Sequence, residues 1–305
     1  MGIPAILPYP MPLKSDLPKN KVLWKADPKR SVLLIHDMQQ YFLSPYEQNQ
    51  SPITELIENI NALKKTCKDF EIPVVYTAQP GSQKLEDRAL LQDFWGYGLE
   101  EAEEQTKIAA SVAPDKKDIV LTKWRYSAFK RTDLLNMMQE LGRNQLIICG
   151  IYAHIGCIVT ACDAFMQDIE AFFVGDAVAD FSLEQHHMAI KFAAGCCASV
   201  KSTALLLEEL KSVQYPCSDE IDKDNIQKCT IESVRGQISE LLGELLTEAD
   251  DNDNLIYRGL DSIRIMSLAE RWRSIRTDIT FVKLAKEPTV SAWWKHLALP
   301  GSKAL

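Results

Sequence analysis

Between Ser31 and about Leu210, short apolar runs rich in β-branched residues alternate with longer segments in which apolar side chains recur every three or four positions. That alternation predicts strands joined by crossover helices, and hence a three-layer α/β domain with a parallel sheet covered on both faces. The predicted strands are SVLLIHD (31–37), PVVYTAQ (73–79), DIVLTKW (118–124), QLIICGIYA (145–153), AFFVGDAVA (171–179) and a weaker ASVKSTA (198–204). Helical period marks 53–70 and 131–142, and Gly142 closes the second of these as a C-terminal stop.

The pattern dissolves after Leu210. The stretch SVQYPCSDEIDKDNIQK mixes Pro, Ser, Asn and alternating charge with few apolar residues, which predicts a linker over 212–228. Beyond it, an amphipathic helix (TIESVRGQISELLGELL), an acidic loop (EADDNDN), a second helix (DSIRIMSLAERWRSI) and a final helical stretch ending in SAWWKHL predict a small all-α bundle over 229–305. A chain of 305 residues is long enough for two unequal cores, here 1–211 and 229–305. With 46% apolar and 25% charged residues, both parts have the composition of folded domains.

A net charge of -8 without a Lys/Arg cluster argues against nucleic acid as a partner. The N-terminal MGIPAILPYPMPL is apolar but broken by prolines, too short and interrupted for a signal or membrane helix. It is expected to lie as an extended arm on the domain surface, with no membrane insertion. The eight cysteines are scattered without C-x-x-C spacing, which predicts reduced thiols of a cytoplasmic protein and no metal site.

Open parallel sheets gather their chemistry at the carboxyl ends of the strands. Asp37 ends the first predicted strand, Lys123 ends the third, and Gly150 to Gly156 follow the fourth. Strand alternation is expected to point His36 away from Asp37. His154 sits in the loop after the fourth strand, where a backbone carbonyl is its expected partner, and His186 and His187 fall on a helix without ligand partners. In the bundle, Gly259 allows a tight turn ahead of Asp261 and Ser262 at a helix start, where free N–H groups and the helix dipole favour a phosphodiester.

Gly259, Leu260, Asp261, Ser262 and Ile263 resemble the serine motif of acyl, peptidyl and aryl carrier proteins. That resemblance implies 4'-phosphopantetheine joined covalently to Ser262, beside Asp261, by a phosphopantetheinyl transferase. Met266 follows one turn later and Phe281 and Ala285 begin the next helix, an expected docking patch for partner enzymes.

The blocks Leu34-Ile-His-Asp-Met-Gln, Thr77-Ala-Gln-Pro, Leu121-Thr-Lys-Trp-Arg-Tyr-Ser-Ala-Phe, Gly150-Ile-Tyr-Ala-His-Ile-Gly and Asp180-Phe-Ser resemble the isochorismatase branch of the cysteine-hydrolase superfamily, over about residues 1–211. In the amidase branch the loop after the fourth strand carries a nucleophilic Cys. Here that position aligns with Gly156, and Cys157 falls one residue late, turned by about 100° at a helix start. Vinyl-ether hydrolysis needs no covalent nucleophile, and with the carrier domain appended the whole chain resembles the bifunctional isochorismatases of catechol siderophore synthesis.

The resemblance implies hydrolysis of isochorismate to 2,3-dihydro-2,3-dihydroxybenzoate and pyruvate. Asp37 is then the general acid, with burial and the substrate's carboxylates raising its pKa and Lys123 opposing them. Lys123 is expected to orient Asp37 and offset substrate charge. Gln79, Arg88, Tyr126, Tyr152 and the Gly156 backbone are expected to hold the substrate, between apolar walls from Phe42 and Trp95. The implied partners are a 2,3-dihydroxybenzoate-AMP ligase, a nonribosomal peptide synthetase condensation domain and a second copy in a homodimer. Two other readings stay open: a catalytically inactive hydrolase serving only as a carrier scaffold, and a cysteine amidase working through Cys157.

Overall fold

The computed structural model describes residues 3–212, 230–242, 244–260, 262–273 and 279–297. The chain divides into two compact units, Met1–Pro216 and Cys217–Leu305.

In the first unit, β1 (Ser31–His36), β2 (Val74–Ala78), β3 (Ile119–Thr122), β4 (Gln145–Ile151), β5 (Glu170–Ala179) and β6 (Ala198–Lys201) form one sheet in the order β3-β2-β1-β4-β5-β6. Every neighbouring pair is parallel. β1 and β4 are buried at every position, which is why they read as unbroken apolar runs, whereas β3, at the edge, is only partly covered. Leu33 and Ile35 face one core together with α1 (Ile53–Asp69), while Val32 and Leu34 face another together with α2 (Leu134–Glu140). α3 (Ile158–Phe165) and α4 (Leu183–Cys196) share the second face, and α5 (Thr203–Ser212) the first.

The six predicted strands match those observed, with ends trimmed by up to three residues. The fourth stops at Ile151 because the chain turns at Tyr152 into a π-helical turn, Ala153–Cys157. Gly142 ends α2 in the left-handed region, at φ +64. The long connection from β2 to β3 folds into single helical turns at Leu85–Arg88, Leu91–Trp95 and Glu103–Thr106, which have no apolar period to announce them.

The N-terminal arm does not simply lie on the surface. Ile6, Tyr9 and Met11 are buried in the core under β1, and the Asp180 N–H donates to the Tyr9 hydroxyl at 2.7 Å. Prolines keep the arm extended, and the apolar residues between them supply the area that fastens it.

In the second unit, α6 (Ile231–Leu242), α7 (Ser262–Arg273), α8 (Phe281–Lys286) and α9 (Val290–Leu297) enclose a core that includes Val234, Ile238, Leu268, Trp272, Leu284 and Trp293. The two indoles meet edge to face at 5.7 Å, and each N–H is satisfied, Trp272 by Gln237 and Trp293 by the Leu284 carbonyl. A bidentate pair from Arg235 to Asp251 ties the acidic loop to α6. The expected linker, apart from Ser212, lies outside the described residues, as does Asp261. No helix among the described residues is long and apolar enough to cross a membrane, and no described cluster of His, Cys, Asp and Glu suits a metal ion.

Two outcomes follow from this packing. A Cβ at Gly150, where φ is +108, would lie 2.2 Å from the His36 carbonyl oxygen, whereas one at Gly142 meets nothing within 4 Å. Gly150→Ala is therefore expected to lower unfolding stability by about 2–4 kcal/mol and Gly142→Ala by only about 1, read from denaturant midpoints. His186, enclosed between the Gly175 carbonyl and the Tyr9 hydroxyl, has its pKa lowered by burial from 6.5 to about 4. The unfolded chain therefore binds this proton at a higher pH than the native one, so stability falls as pH drops from 6.5 to about 4, by up to about 3 kcal/mol. His186→Gln should flatten that part of the stability curve.

Candidate active site

Asp37 is the residue at which β1 stops, and it does so with φ +49. The left-handed turn folds its carboxylate back over the strand ends, where β2 and β3 present their own last residues. Thr77 donates its hydroxyl to Asp37 Oδ1 at 2.6 Å and accepts the Asp37 N–H at 3.1 Å. Lys123, anchored through its N–H to the Ala78 carbonyl, places Nζ 2.7 Å from Asp37 Oδ2. The Gln79 amide reaches the same oxygen at 3.4 Å.

The carboxylate is 5% exposed and the lysine 2%. Burial pushes the Asp37 carboxyl upward, but the Lys123 charge, together with His36 and the hydrogen bonds from Lys123 and Thr77, holds it below the ordinary carboxylate range. Asp37 and Lys123 thus stand as a buried ion pair in the free protein.

His36 is not directed away from Asp37. Its imidazole lines the same cleft, with Nδ1 2.9 Å from the Ile151 carbonyl and Nε2 3.4 Å from that of Tyr126. Alternation fails because the left-handed Asp37 breaks the extended chain immediately after it. Full burial lowers the pKa of the ring, against the opposing pull of Asp37.

The ion pair lies in a cleft of about 630 Å³. Phe42, Gln79, Arg88, Trp95, Tyr126, Tyr152 and Gly156, the residues expected to hold or wall the substrate, all line it. Arg88 is 4% exposed and donates Nε to the Gly96 carbonyl, and its Nη1 is 3.4 Å from Gln79 Oε1. Among the described residues no carboxylate pairs with it. Gly98, at φ +77, makes room for it, since a Cβ there would lie 2.5 Å from the guanidinium carbon. Trp95 donates its indole N–H to the Tyr126 hydroxyl at 2.7 Å, and Tyr152 spends its hydroxyl on the Phe42 carbonyl at 2.6 Å. These aromatic walls therefore hold one another in place.

Sequence reasoning missed several lining residues. Tyr41 and Arg125 are immediate neighbours of Phe42 and Tyr126, and Phe181 follows Asp180, so the motif blocks contained or adjoined them. Ile3, which also lines the cleft, gave no signal. His154 pairs with the buried Asp180 carboxylate through both its N–H and Nδ1, and not with a backbone carbonyl; a fully buried carboxylate takes both donors of the turn. Cys157 is fully buried in the opposite core, and burial raises its thiol pKa well above the ordinary value.

In the second unit, Ser262 is the first residue of α7, three positions after Gly259 at φ +99. Met266 is 57% exposed one turn along, whereas Phe281 and Ala285 are only half-buried, Phe281 partly against the core.

The isochorismatase domain model matches residues 31–204. Over 308 aligned residues, all of this chain and 98% of the relative, the sequence is 55% identical to the isochorismatase of Bacillus subtilis strain 168. It is 49% identical to enterobactin synthase component B of Escherichia coli K12, covering 98% of this chain and 99% of that protein. A 69-residue stretch in the C-terminal region, 23% of the chain, is 38% identical to acyl carrier protein ScoB of Streptomyces coeruleorubidus and covers 81% of it. The cleft built on Asp37 and Lys123, the domain match and the full-length relatives agree: the chain belongs to the isochorismatase family and carries a C-terminal carrier-type unit.

Proposed function

We propose that the first unit hydrolyses the vinyl ether of isochorismate, giving 2,3-dihydro-2,3-dihydroxybenzoate and pyruvate, and that the second carries 2,3-dihydroxybenzoate as a thioester for siderophore assembly. The observation that carries the hydrolase reading is the buried Asp37–Lys123 pair at the floor of an aromatic cleft that also holds a buried, carboxylate-free Arg88. A dicarboxylate substrate supplies the anions that Arg88 and Lys123 lack partners to saturate.

The ion pair also says how the acid is charged. Asp37 is ionised in the free cleft, and an incoming carboxylate both shares Lys123 and adds negative charge beside Asp37, so the carboxyl takes up a proton. It delivers that proton to the enol-ether methylene carbon. A C–H bond forms and the double-bond electrons leave an oxocarbenium ion next to the re-formed carboxylate, which Lys123 and Thr77 hold in place. Water adds to the cation and loses a proton, and the hemiketal then collapses, its C–O bond to the ring substituent oxygen breaking as the hydroxyl proton passes to that oxygen, which releases pyruvate and the dihydrodiol. Cys157, buried and protonated away from the cleft, has no part in this, which disfavours an amidase; the intact ion pair disfavours an inactive scaffold.

Ser262 at the head of a helix of 12 residues suits a phosphodiester, because the first N–H groups of a helix have no internal partners. Phosphopantetheine, when bound there, supplies the thiol that holds the aryl group. Exposed Met266, with Phe281 and Ala285, then faces the transferase, the ligase and the condensation domain in turn. We place the hydrolase at 1–211 and the carrier at 229–305, and the active protein as a cytoplasmic homodimer.

Pyruvate release from isochorismate tests the first half. Asp37→Asn, which keeps shape and removes the acid, should slow turnover by about 10²–10⁴; no turnover in the unaltered protein would leave only the carrier. Because the acid must be protonated while Lys123 depresses its pKa, kcat/KM should rise as pH falls from neutrality, by roughly tenfold per unit. Lys123→Met should shift that limb to higher pH. For the carrier half, intact mass after incubation with coenzyme A and a phosphopantetheinyl transferase should gain one arm, and Ser262→Ala should gain none.

A further inference from the structure

The last turns of α3 and the junction between α4 and β6 bring together thiols that hydrolysis does not use. Cys162 Sγ lies 3.7 Å from Cys197 Sγ, within a sulfur hydrogen bond. Cys162 is half-buried, Cys197 buried, and their neighbour Cys196 exposed. We propose that Cys162 and Cys197 are a modification site for small-molecule disulfides of the glutathione class, which the pair reduces while closing a disulfide between α3 and the α4–β6 junction.

The geometry favours this pair over the other thiols. A disulfide bond is about 2.0 Å long, so the sulfurs need approach by less than 2 Å. Cys197 caps the C-terminus of α4 at φ −143, with its N–H on the Ala193 carbonyl, so its thiol stands where the helix ends and the chain turns toward β6. Cys67, Cys149 and Cys157 are buried, and among the described residues none of them is hydrogen-bonded to another thiol. Cys196 is occupied with the Phe192 carbonyl one turn back.

Exposure and electrostatics assign the order of events. Cys162 is the more accessible, and its pKa is raised by burial with the hydrogen bond from Cys197 partly offsetting the rise; burial raises that of Cys197 further, and the same bond adds to the rise. The Cys162 thiolate attacks one sulfur of the small disulfide, forming a mixed disulfide and expelling a thiolate that takes up a proton. Cys197 then gives up its proton and attacks the Cys162 sulfur, breaking the mixed bond and releasing the second thiol. Two protein thiols and one disulfide become one protein disulfide and two small thiols, with two electrons passed outward.

α3 grows from the turn that carries Gly156, and α4 follows Phe181, both of which line the cleft. The bond therefore ties the far ends of the two helices that rise from the site, without using a residue of it, and limits the freedom of the unfolded chain.

The test uses the full-length protein equilibrated with oxidised glutathione, with thiols trapped in acid, followed by intact mass and peptide mapping. The expected result is a loss of two hydrogens, a Cys162–Cys197 linked peptide and a melting temperature higher by several degrees, all reversed by reduced glutathione. Cys196→Ser should form the same link. Cys197→Ser should instead keep one glutathione on Cys162, and Cys162→Ser should give no link. Free thiols at both positions after equilibration, or glutathione only on Cys196, would overturn the proposal.

Discussion

The rest of the first unit is arranged around one buried ion pair. Taking a carboxylate and an ammonium out of water costs several kcal/mol each, and their attraction offsets that only when the geometry is good and the remaining lone pairs are satisfied. Both conditions are met by the sheet. Asp37 follows β1 and Lys123 follows β3, two strands that do not touch; β2 lies between them and contributes Thr77 and Gln79 to the two carboxylate oxygens. The parallel register, with Ile35 opposite Tyr76 and Ala78 opposite Thr122, brings these strand ends to a common level, so Lys123 can span a strand and still reach 2.7 Å.

A pair so buried is a poor device for stability, since apolar side chains of similar size often serve as well. Its value is chemical. The lysine holds the carboxyl below its ordinary range, and in the proposed reaction the carboxylate becomes an acid when a competing anion reaches the lysine. Arg88 strengthens the coupling. It too is buried without a carboxylate, its Nε taken by a backbone carbonyl and its flank opened by Gly98, so the anion completes two sites at once. On the proposed function, protonation is thereby linked to substrate capture.

Much of this was legible in the sequence, and for identifiable reasons. Strands covered on both faces leave continuous apolar runs, and Asp37 stood out where one of them stops, whereas Lys123 stood out at the end of the shorter β-branched run of the edge strand β3. The substrate-side residues from Phe42 to Gly156 line one cleft, although their roles are assigned by likeness and geometry. What the pattern did not carry was backbone irregularity. Nothing in Leu-Ile-His-Asp signals a left-handed aspartate, so the side of the strand on which His36 emerges was misjudged. The single-turn helices between β2 and β3 are too short for a period. Ile6, Tyr9 and Met11 lie among prolines, where apolar side chains and an extended surface arm read alike, and only tertiary contact separates the two.

The misjudged histidine explains why position 156 carries no side chain. The imidazole of His36 fills the space beside Gly156, so that a Cβ at 156 would lie 2.1 Å from its Cε1. Any side chain at 156, a cysteine included, requires the ring to leave, and the ring is held by the carbonyls of Ile151 and Tyr126. Cys157, one residue on, is rotated into the opposite core and kept protonated by burial. The glycine and the histidine therefore form one steric unit that leaves no room for a side chain at position 156. Among the described residues that line the cleft, Asp37 is the one carboxylate, and the proposed function makes a proton what it offers a substrate.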